Sequence, residues 1–361
     1  METMEEYKLV RIINEEPEFC ETQENNFVVD YFILCEEGNS LFGKNIYDLQ
    51  ICGMSLLNWV VRVCGRQPKI LKVNKNVDAL EIVKPYIDSS AEYSVIFYAD
   101  TPLLNKNHIT DLLAFVDRKR MNVCKLKKGL VFRNDYIKEN DEIYSIDEYD
   151  FASNDFFVVE TIEDFEFARN ALSKKILDYH KKNGVLFENE SSVTVDANTE
   201  IGACSKILSN ASIVNGVIIG RNVVVEKNAL ISGSTIGDDA YIGNNAIIGR
   251  SIVRKNSKIN ENVIVKNSVI GNNVTVDMSS NIYSSSIRDG VTLENNVSLD
   301  NCKISENVTV EKFSKILGFN GTVAIVGENS DVGANSEIID SIIPRESIIE
   351  KCSKITGKVE R

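Results

Sequence analysis

Histidine is almost missing from this chain. Only His108 and His180 occur in 361 residues, and none follows position 180. That removes the commonest general base from the whole C-terminal half. No apolar run reaches the ~18 residues that a membrane-spanning helix needs. The eight cysteines (Cys20, Cys35, Cys52, Cys64, Cys124, Cys204, Cys302 and Cys352) form no CxxC and no spacing suited to a metal. Free, buried thiols in a reducing compartment are the expectation. Positive charge is also in deficit, with 40 Lys+Arg against 53 Asp+Glu, a net charge of −13 and a pI near 4.9. Such a balance disfavours nucleic acid and anionic membranes as partners, although a locally basic site can still take a small anion. The opening "METMEEYKLVR" is acidic and unlike a signal peptide, and a cytoplasmic location is expected.

What is abundant is a period. Across residues 195–355 an aliphatic recurs every six positions, from Val195, Ile201, Ile207 and Ile213 to Ile219, Val225 and Ile231. One step in three then shortens to five, so Ile219, Ile236, Val253, Ile270, Ile287 and Ile304 stand 17 apart. Asn, Asp or Gly stands three residues after many of these aliphatics, at 222, 228, 239, 245, 256, 262, 273, 290, 296, 307, 329 and 335. These residue types tolerate positive φ and sharp corners. Small side chains repeat in a further register at Ser234, Ser251, Ser268, Ser285 and Cys302. The pattern predicts a coil of three short strands and three corners, with each aliphatic pointing inward onto its equivalent one coil above. One coil cannot bury its core alone, so coils stack. After Ile316, "LGFNGTVAI" carries five residues too many for a coil and predicts a loop over residues 317–325.

A different grammar holds before residue 190. "NNFVVDYFILCEEG" reads as strand and turn, "ICGMSLLNWVVRVCG" as a helix ending at Gly65, and "YSVIFYAD" as a buried strand. "NHITDLLAFVDRKR" reads as an amphipathic helix and "KKGLVFRNDYI" as another strand. Alternating strands and helices argue for an α/β layer with a mostly parallel sheet. Ligands of such sheets sit at the carboxyl ends of the strands, which places Asp100 at the mouth. In "TIEDFEFARNALSKKILDYHKKNG", Thr161 and Asp164 form a candidate capping box and Asn183-Gly184 a candidate C-cap, so the span predicts one long helix. The expected organisation is an α/β domain over residues 1–160, a linker helix over 161–184 and a β-helix over 185–361.

This order of sheet domain, connecting helix and β-helix resembles the sugar-1-phosphate nucleotidyltransferases, above all the bifunctional UDP-N-acetylglucosamine pyrophosphorylase / glucosamine-1-phosphate acetyltransferase. "YADTPLL" is similar to the family's strand-end motif, normally Gly-Asp-Thr-Pro-Leu-Leu. "ICGMSLLNWV" resembles the segment after its catalytic loop, and "ARNALSKKILDYHKKNGVLFENESSVTVDANTEIG" its linker helix and entry into the β-helix. The resemblance implies a shortened Rossmann-type α/β domain followed by a left-handed parallel β-helix of hexapeptide repeats. It implies Asp100 as a Mg²⁺ ligand, Glu160 as the second ligand by ungapped alignment, and Lys44 as the residue nearest the catalytic lysine. Mg²⁺ would bridge the phosphates and offset transition-state charge. A homotrimer formed through the β-helix is implied as well.

The departures from the family are large. Its phosphate-cradling loop, Leu-x-x-Gly-x-Gly-Thr-Arg-Met, is replaced by "LCEEGNSLF", with Glu37 and Asn39 at the glycine positions and Leu41 at the arginine. Tight loops presenting N–H groups need glycine, and Glu36 and Glu37 would repel a triphosphate. The ungapped position of the family lysine holds Ile46. The family's Leu-Gly-Thr-Ala motif has no counterpart in "NVDALEIVKPYI". Only 60 residues separate Asp100 from Glu160, roughly half the family interval. Losing one charge-stabilising donor typically costs ~10²–10³ in rate. With no histidine in the β-helix, acyl transfer lacks its base; His180 is expected on the helix surface, and His108 on the surface as well. The readings carried forward are three. The first is a pseudoenzyme that scaffolds or regulates, with an active homologous subunit as a candidate partner. The second is an atypical Mg²⁺-dependent enzyme using Asp100, Glu160 and Lys44. The third is an acyltransferase or ligand binder at the β-helix.

Overall fold

The computed structural model describes residues 27–38, 40–65, 67–75, 77–88, 90–140, 147–148, 156–319 and 321–357. Cys20 and Asn39 lie outside the described residues. The chain divides into two compact units, one of residues 1–49 and 55–168 and the other of residues 50–54 and 169–361.

The first unit is built on a six-stranded sheet. Its elements run β1 (Val29–Glu36), a small hairpin of β2 (Ser40–Leu41) and β3 (Lys44–Asn45) and, after residues 50–54 of the second unit with β4 (Gln50–Ile51) and the start of β5 (Met54–Ser55), α1 (Leu56–Val63). They continue with β6 (Lys69–Val73), α2 (Ala79–Val83), β7 (Tyr93–Tyr98), α3 (Lys106–Lys119), β8 (Val123–Leu126), β9 (Gly129–Arg133), α4 (Asn134–Glu139) and β10 (Asp147–Glu148). The sheet order is β10-β8-β9-β7-β1-β6. β1 lies parallel to β6 and β7, and β10 parallel to β8, whereas β9 runs antiparallel to both β7 and β8. Five of its six strands therefore run the same way, so the sheet is mostly parallel as expected, with β9 reversed by the β8–β9 hairpin.

Successive residues of β1 serve opposite faces. Ile33 and Cys35 pack with Phe97, Leu112, Leu113 and Val116, while Phe32 and Leu34 pack with Ile96, Val83, Phe132 and Ile137. Helix cover on both faces is why "FILC" and "VIF" are unbroken apolar runs. Two sequence expectations need correction. Residues 50–55 form the strands β4 and β5, so the helix begins only at Leu56, where Ser55 caps Asn58 N at 3.1 Å. The segment "KKGLVFRNDYI" splits, with Asn134 opening α4.

α5 (Ile162–Lys182) begins with the expected capping box: Asp164 N donates to Thr161 Oγ1 at 3.2 Å and Thr161 N to Asp164 Oδ2 at 2.9 Å. It ends at Gly184, whose φ of +84° lets Val185 N reach back to His180 O at 3.0 Å. His180 is buried at 1% exposure, contrary to the expected surface position. It continues a buried row of Ala168, Leu172 and Ile176 at a spacing of four.

The second unit is a parallel β-solenoid whose strands form three sheets of ten, ten and nine. The predicted stack is present: Ile219 pairs with Ile236, then Val253, Ile270, Ile287 and Ile304 in turn. All twelve corner positions read from the sequence adopt φ between +55° and +71°. Asparagine amides link corners across coils, Asn228 to Asn245 at 3.2 Å and Asn245 to Asn262 at 3.1 Å. The serine register is a second ladder. Ser251 N donates to Ser234 Oγ, Ser268 N to Ser251 Oγ and Ser285 N to Ser268 Oγ, all at 3.0–3.1 Å. The insertion leaves the solenoid between Leu317 and Ala324, and Ile316 pairs with Ile338, 22 residues on. Asp340 holds this loop by accepting from Phe319 N at 2.6 Å and Thr322 Oγ1 at 2.6 Å.

Candidate functional site

β1 and β7 run side by side from Val29↔Tyr93 to Leu34↔Tyr98, so their carboxyl ends deliver Glu36 and Asp100 to one edge of the sheet. After β7 the chain turns sharply, with Thr101 Oγ1 donating to Tyr98 O at 2.7 Å and Ala99 N to Leu34 O at 3.0 Å. The turn leaves Asp100 only 6% exposed.

The residue that meets Asp100 is one that sequence reasoning missed. Lys128 sits in the two-residue turn between β8 and β9. Its Nζ lies 2.5 Å from Asp100 Oδ2 and 3.2 Å from Glu36 Oε2, and 4.9 Å from the centroid of the Tyr98 ring. Gly129 makes this approach possible. Its φ is +140°, and a Cβ there would stand 2.5 Å from the Ile96 carbonyl oxygen of β7. Only glycine lets the hairpin lie so close to the strand. The signal in the sequence was the Lys-Lys-Gly turn opening an apolar strand, which points to a hairpin but not to its neighbour in the sheet.

Burial shapes the electrostatics. Desolvation pushes the Asp100 carboxyl above its ordinary range, Lys128 opposes that, and Glu36 adds to it. Burial alone would lower the Lys128 ammonium, but Asp100 and Glu36 facing it hold it above the usual lysine value, so it stays charged. Beside them Cys35 is pushed up to about 11 by burial, Asp48 and Asp100, which makes it a poor nucleophile. Cys64 and Cys124 are buried as expected, as is Cys302 in the solenoid, but Cys204 and Cys352 are exposed at solenoid corners with positive φ.

The other residues singled out in the sequence are dispersed. Val159 N donates to Asp100 O at 2.9 Å, so the main chain brings Glu160 next to the mouth, but its side chain is exposed. Lys44 is exposed on the β2–β3 hairpin and has no ion pair among the described residues, and Ile46 is buried. Glu37 donates its N–H to Val73 O at 2.8 Å. His108 is half-buried in the first turn of α3.

The mouth fits a divalent metal poorly. Mg²⁺ wants an octahedral set of oxygens at about 2.0–2.1 Å and keeps several waters. Asp100 Oδ2 is taken by the ammonium, and Oδ1 is sealed from solvent with no hydrogen-bond partner among the described residues. Among those residues no three His, Cys, Asp or Glu side chains are grouped to hold a metal. No helix among them is long and apolar enough to cross a membrane.

Residues 190–288, all within the solenoid, match the family model of the GMPPB C-terminal domain. No curated protein matches the chain. Among solved structures, the chain is similar to Rv0371c from Mycobacterium tuberculosis H37Rv, at 11% identity over 40% of this chain and 98% of that one, with a TM-score of 0.32. It is similar to CMP:2-keto-3-deoxy-manno-octonic acid synthetase complexed with CTP, at 11% identity over 41% and 99%, with a TM-score of 0.32. A further likeness is to UDP-N-acetylglucosamine acyltransferase from Campylobacter jejuni, at 20% identity over 37% and 65%, with a TM-score of 0.22. Likenesses this distant assign no activity to the chain.

Proposed function

We propose that this chain is a sugar nucleotidyltransferase-like protein that no longer transfers nucleotides and works as a scaffold or regulatory subunit. The observation that carries the reading is the end of β1. There a nucleotidyltransferase would present a glycine loop of N–H groups to a triphosphate. This chain presents Glu36 and Glu37, gives the Glu37 N–H to Val73 O, and folds into the Ser40–Asn45 hairpin. Two carboxylates repel polyphosphate, and an amide already bonded within the sheet cannot cradle it.

Assembly falls to the solenoid. On one outer face Leu230, Ile247 and Ile264 stack in register, and on the next Ile252 stacks on Val269. Rows of outward aliphatics on a rigid scaffold suit a closed homotrimer, with an active homologous subunit as the other candidate partner. One observation favours an alternative: the Val159–Asp100 main-chain bond keeps Glu160 beside the mouth, as an enzyme using Asp100, Glu160 and Lys44 with Mg²⁺ would need. A coupled assay with Mg²⁺, UTP and N-acetylglucosamine-1-phosphate decides between the two. No UDP-sugar is expected; turnover abolished by Asp100→Ala would overturn the proposal. Light scattering should give a trimer mass, and a 40.4 kDa species alone at micromolar concentration would defeat the assembly half of it.

A further inference from the structure

Three segments far apart in sequence meet at the mouth: the end of β1, the turn after β7 and the β8–β9 hairpin. They bring one ammonium to two carboxylates and the face of a tyrosine, with the side chains of Lys128, Asp100 and Glu36 only 17%, 8% and 18% exposed. We propose that Lys128 is the resident cation of this mouth, a covalently attached ammonium standing where a nucleotidyl-transfer site would hold a divalent metal. The metal's expected place rests on the family reading above; the lysine's position rests on geometry alone.

The arrangement is built rather than incidental. Hairpin β8–β9 reaches Asp100 only because Gly129 tolerates both its φ and the Ile96 carbonyl. The ammonium lies over the negative face of the Tyr98 ring, a further favourable contact for a cation. One charge against two carboxylates leaves the cluster at about −1 by simple formal count, so it repels phosphate while keeping Asp100 buried and Glu36 partly buried. A lysine supplies charge but no open coordination position, so it preserves the fold of the mouth without its Lewis acidity. Removing the ammonium should then uncover a cation site, because Asp100 and Glu36 lose the cation that they share.

The test is Mn²⁺ titration of the full chain, read by electron paramagnetic resonance. Wild type should take up no Mn²⁺ that depends on Asp100. Lys128→Ala should take up a single Mn²⁺, lost again in Lys128→Ala/Asp100→Asn. Uptake by wild type that Asp100→Asn abolishes would overturn the inference, and so would a folded Lys128→Ala protein that binds none. Should Lys128→Ala fail to fold, the wild-type melting temperature decides. No change with added Mg²⁺ supports the resident lysine; a rise that vanishes in Asp100→Asn overturns it, since a ligand of the native state stabilises that state. The readouts separate the two readings. UDP-sugar formation without Mn²⁺ uptake sinks the pseudoenzyme and leaves the lysine. Mn²⁺ uptake at Asp100 without turnover does the reverse.

Discussion

The two units of this chain place their residues by opposite rules. In the solenoid, a residue's surroundings follow from its position in the repeat, because the neighbours that matter stand 17 or 18 residues away on equivalent strands, or 22 across the one insertion. In the α/β unit, the Lys128–Asp100–Glu36 cluster is joined from positions 28 and 92 residues apart, and nothing periodic connects them. One unit is a sum of near-identical interfaces; the other depends on a single meeting of distant segments. Damage should therefore act differently in the two.

The largest effect is expected at the centre of the repeat. Ile270 is fully buried between Val253 and Ile287. Ile270→Asp places an unpaired charge in that stack and should cost about 5 kcal/mol or more. Thermal or urea melts should show a solenoid that no longer folds cooperatively, and an unchanged midpoint would refute the register.

Next comes the cluster. Lys128→Met removes the cation and should cost about 3–5 kcal/mol, the usual penalty for stranding buried charge. The loss should shrink on acidification. Burial has already raised the Asp100 carboxyl above its unfolded value, so the folded variant gains a proton more readily and its relative stability grows as pH falls. Asp100→Asn in the same variant should recover part of the loss, a coupling that a double-mutant cycle measures.

A smaller effect separates helix α5 from the repeat. His180 is buried, its Nε2 has no partner among the described residues, and desolvation lowers it from 6.5 to about 4. Between those values the unfolded chain holds a proton that the folded chain refuses, so stability should rise with pH across that window. At about 1.4 kcal/mol per pH unit the span amounts to up to about 3 kcal/mol. His180→Phe should flatten this part of the stability curve, and a curve that overlays wild type would show that His180 titrates normally.

The smallest expected effect tests the serine ladder. Ser251 donates to Gly249 O at 2.8 Å while its Oγ accepts from Ser268 N. Ser251→Val strands that N–H as well as overfilling the corner, and should cost about 2 kcal/mol. Ser251→Ala, which removes the hydroxyl without adding bulk, divides the two causes by its melting temperature.

Most of the solenoid was legible because its rules are local. An Asn, Asp or Gly three residues after an inward aliphatic needs only a tight corner, and all twelve such positions adopt it. The burial of His180 follows from its face: its spacing of four from Ile176 and Leu172 marks an inward row, which polar neighbours in "DYHKKN" disguise.

The order of residues alone was enough for the repeat, its corners, its one insertion, the long helix with both caps, and the acid at the end of a buried strand. Each follows from periodicity, from φ preference or from a motif of a few residues. What that acid meets is set by the folded sheet. The partner of Asp100 depends on β9 turning back antiparallel beside β7, and on Gly129, where any Cβ would stand 2.5 Å from the Ile96 carbonyl oxygen. Strand order is a property of the whole sheet, and a single lysine in a turn carries no mark of which strand end it will meet.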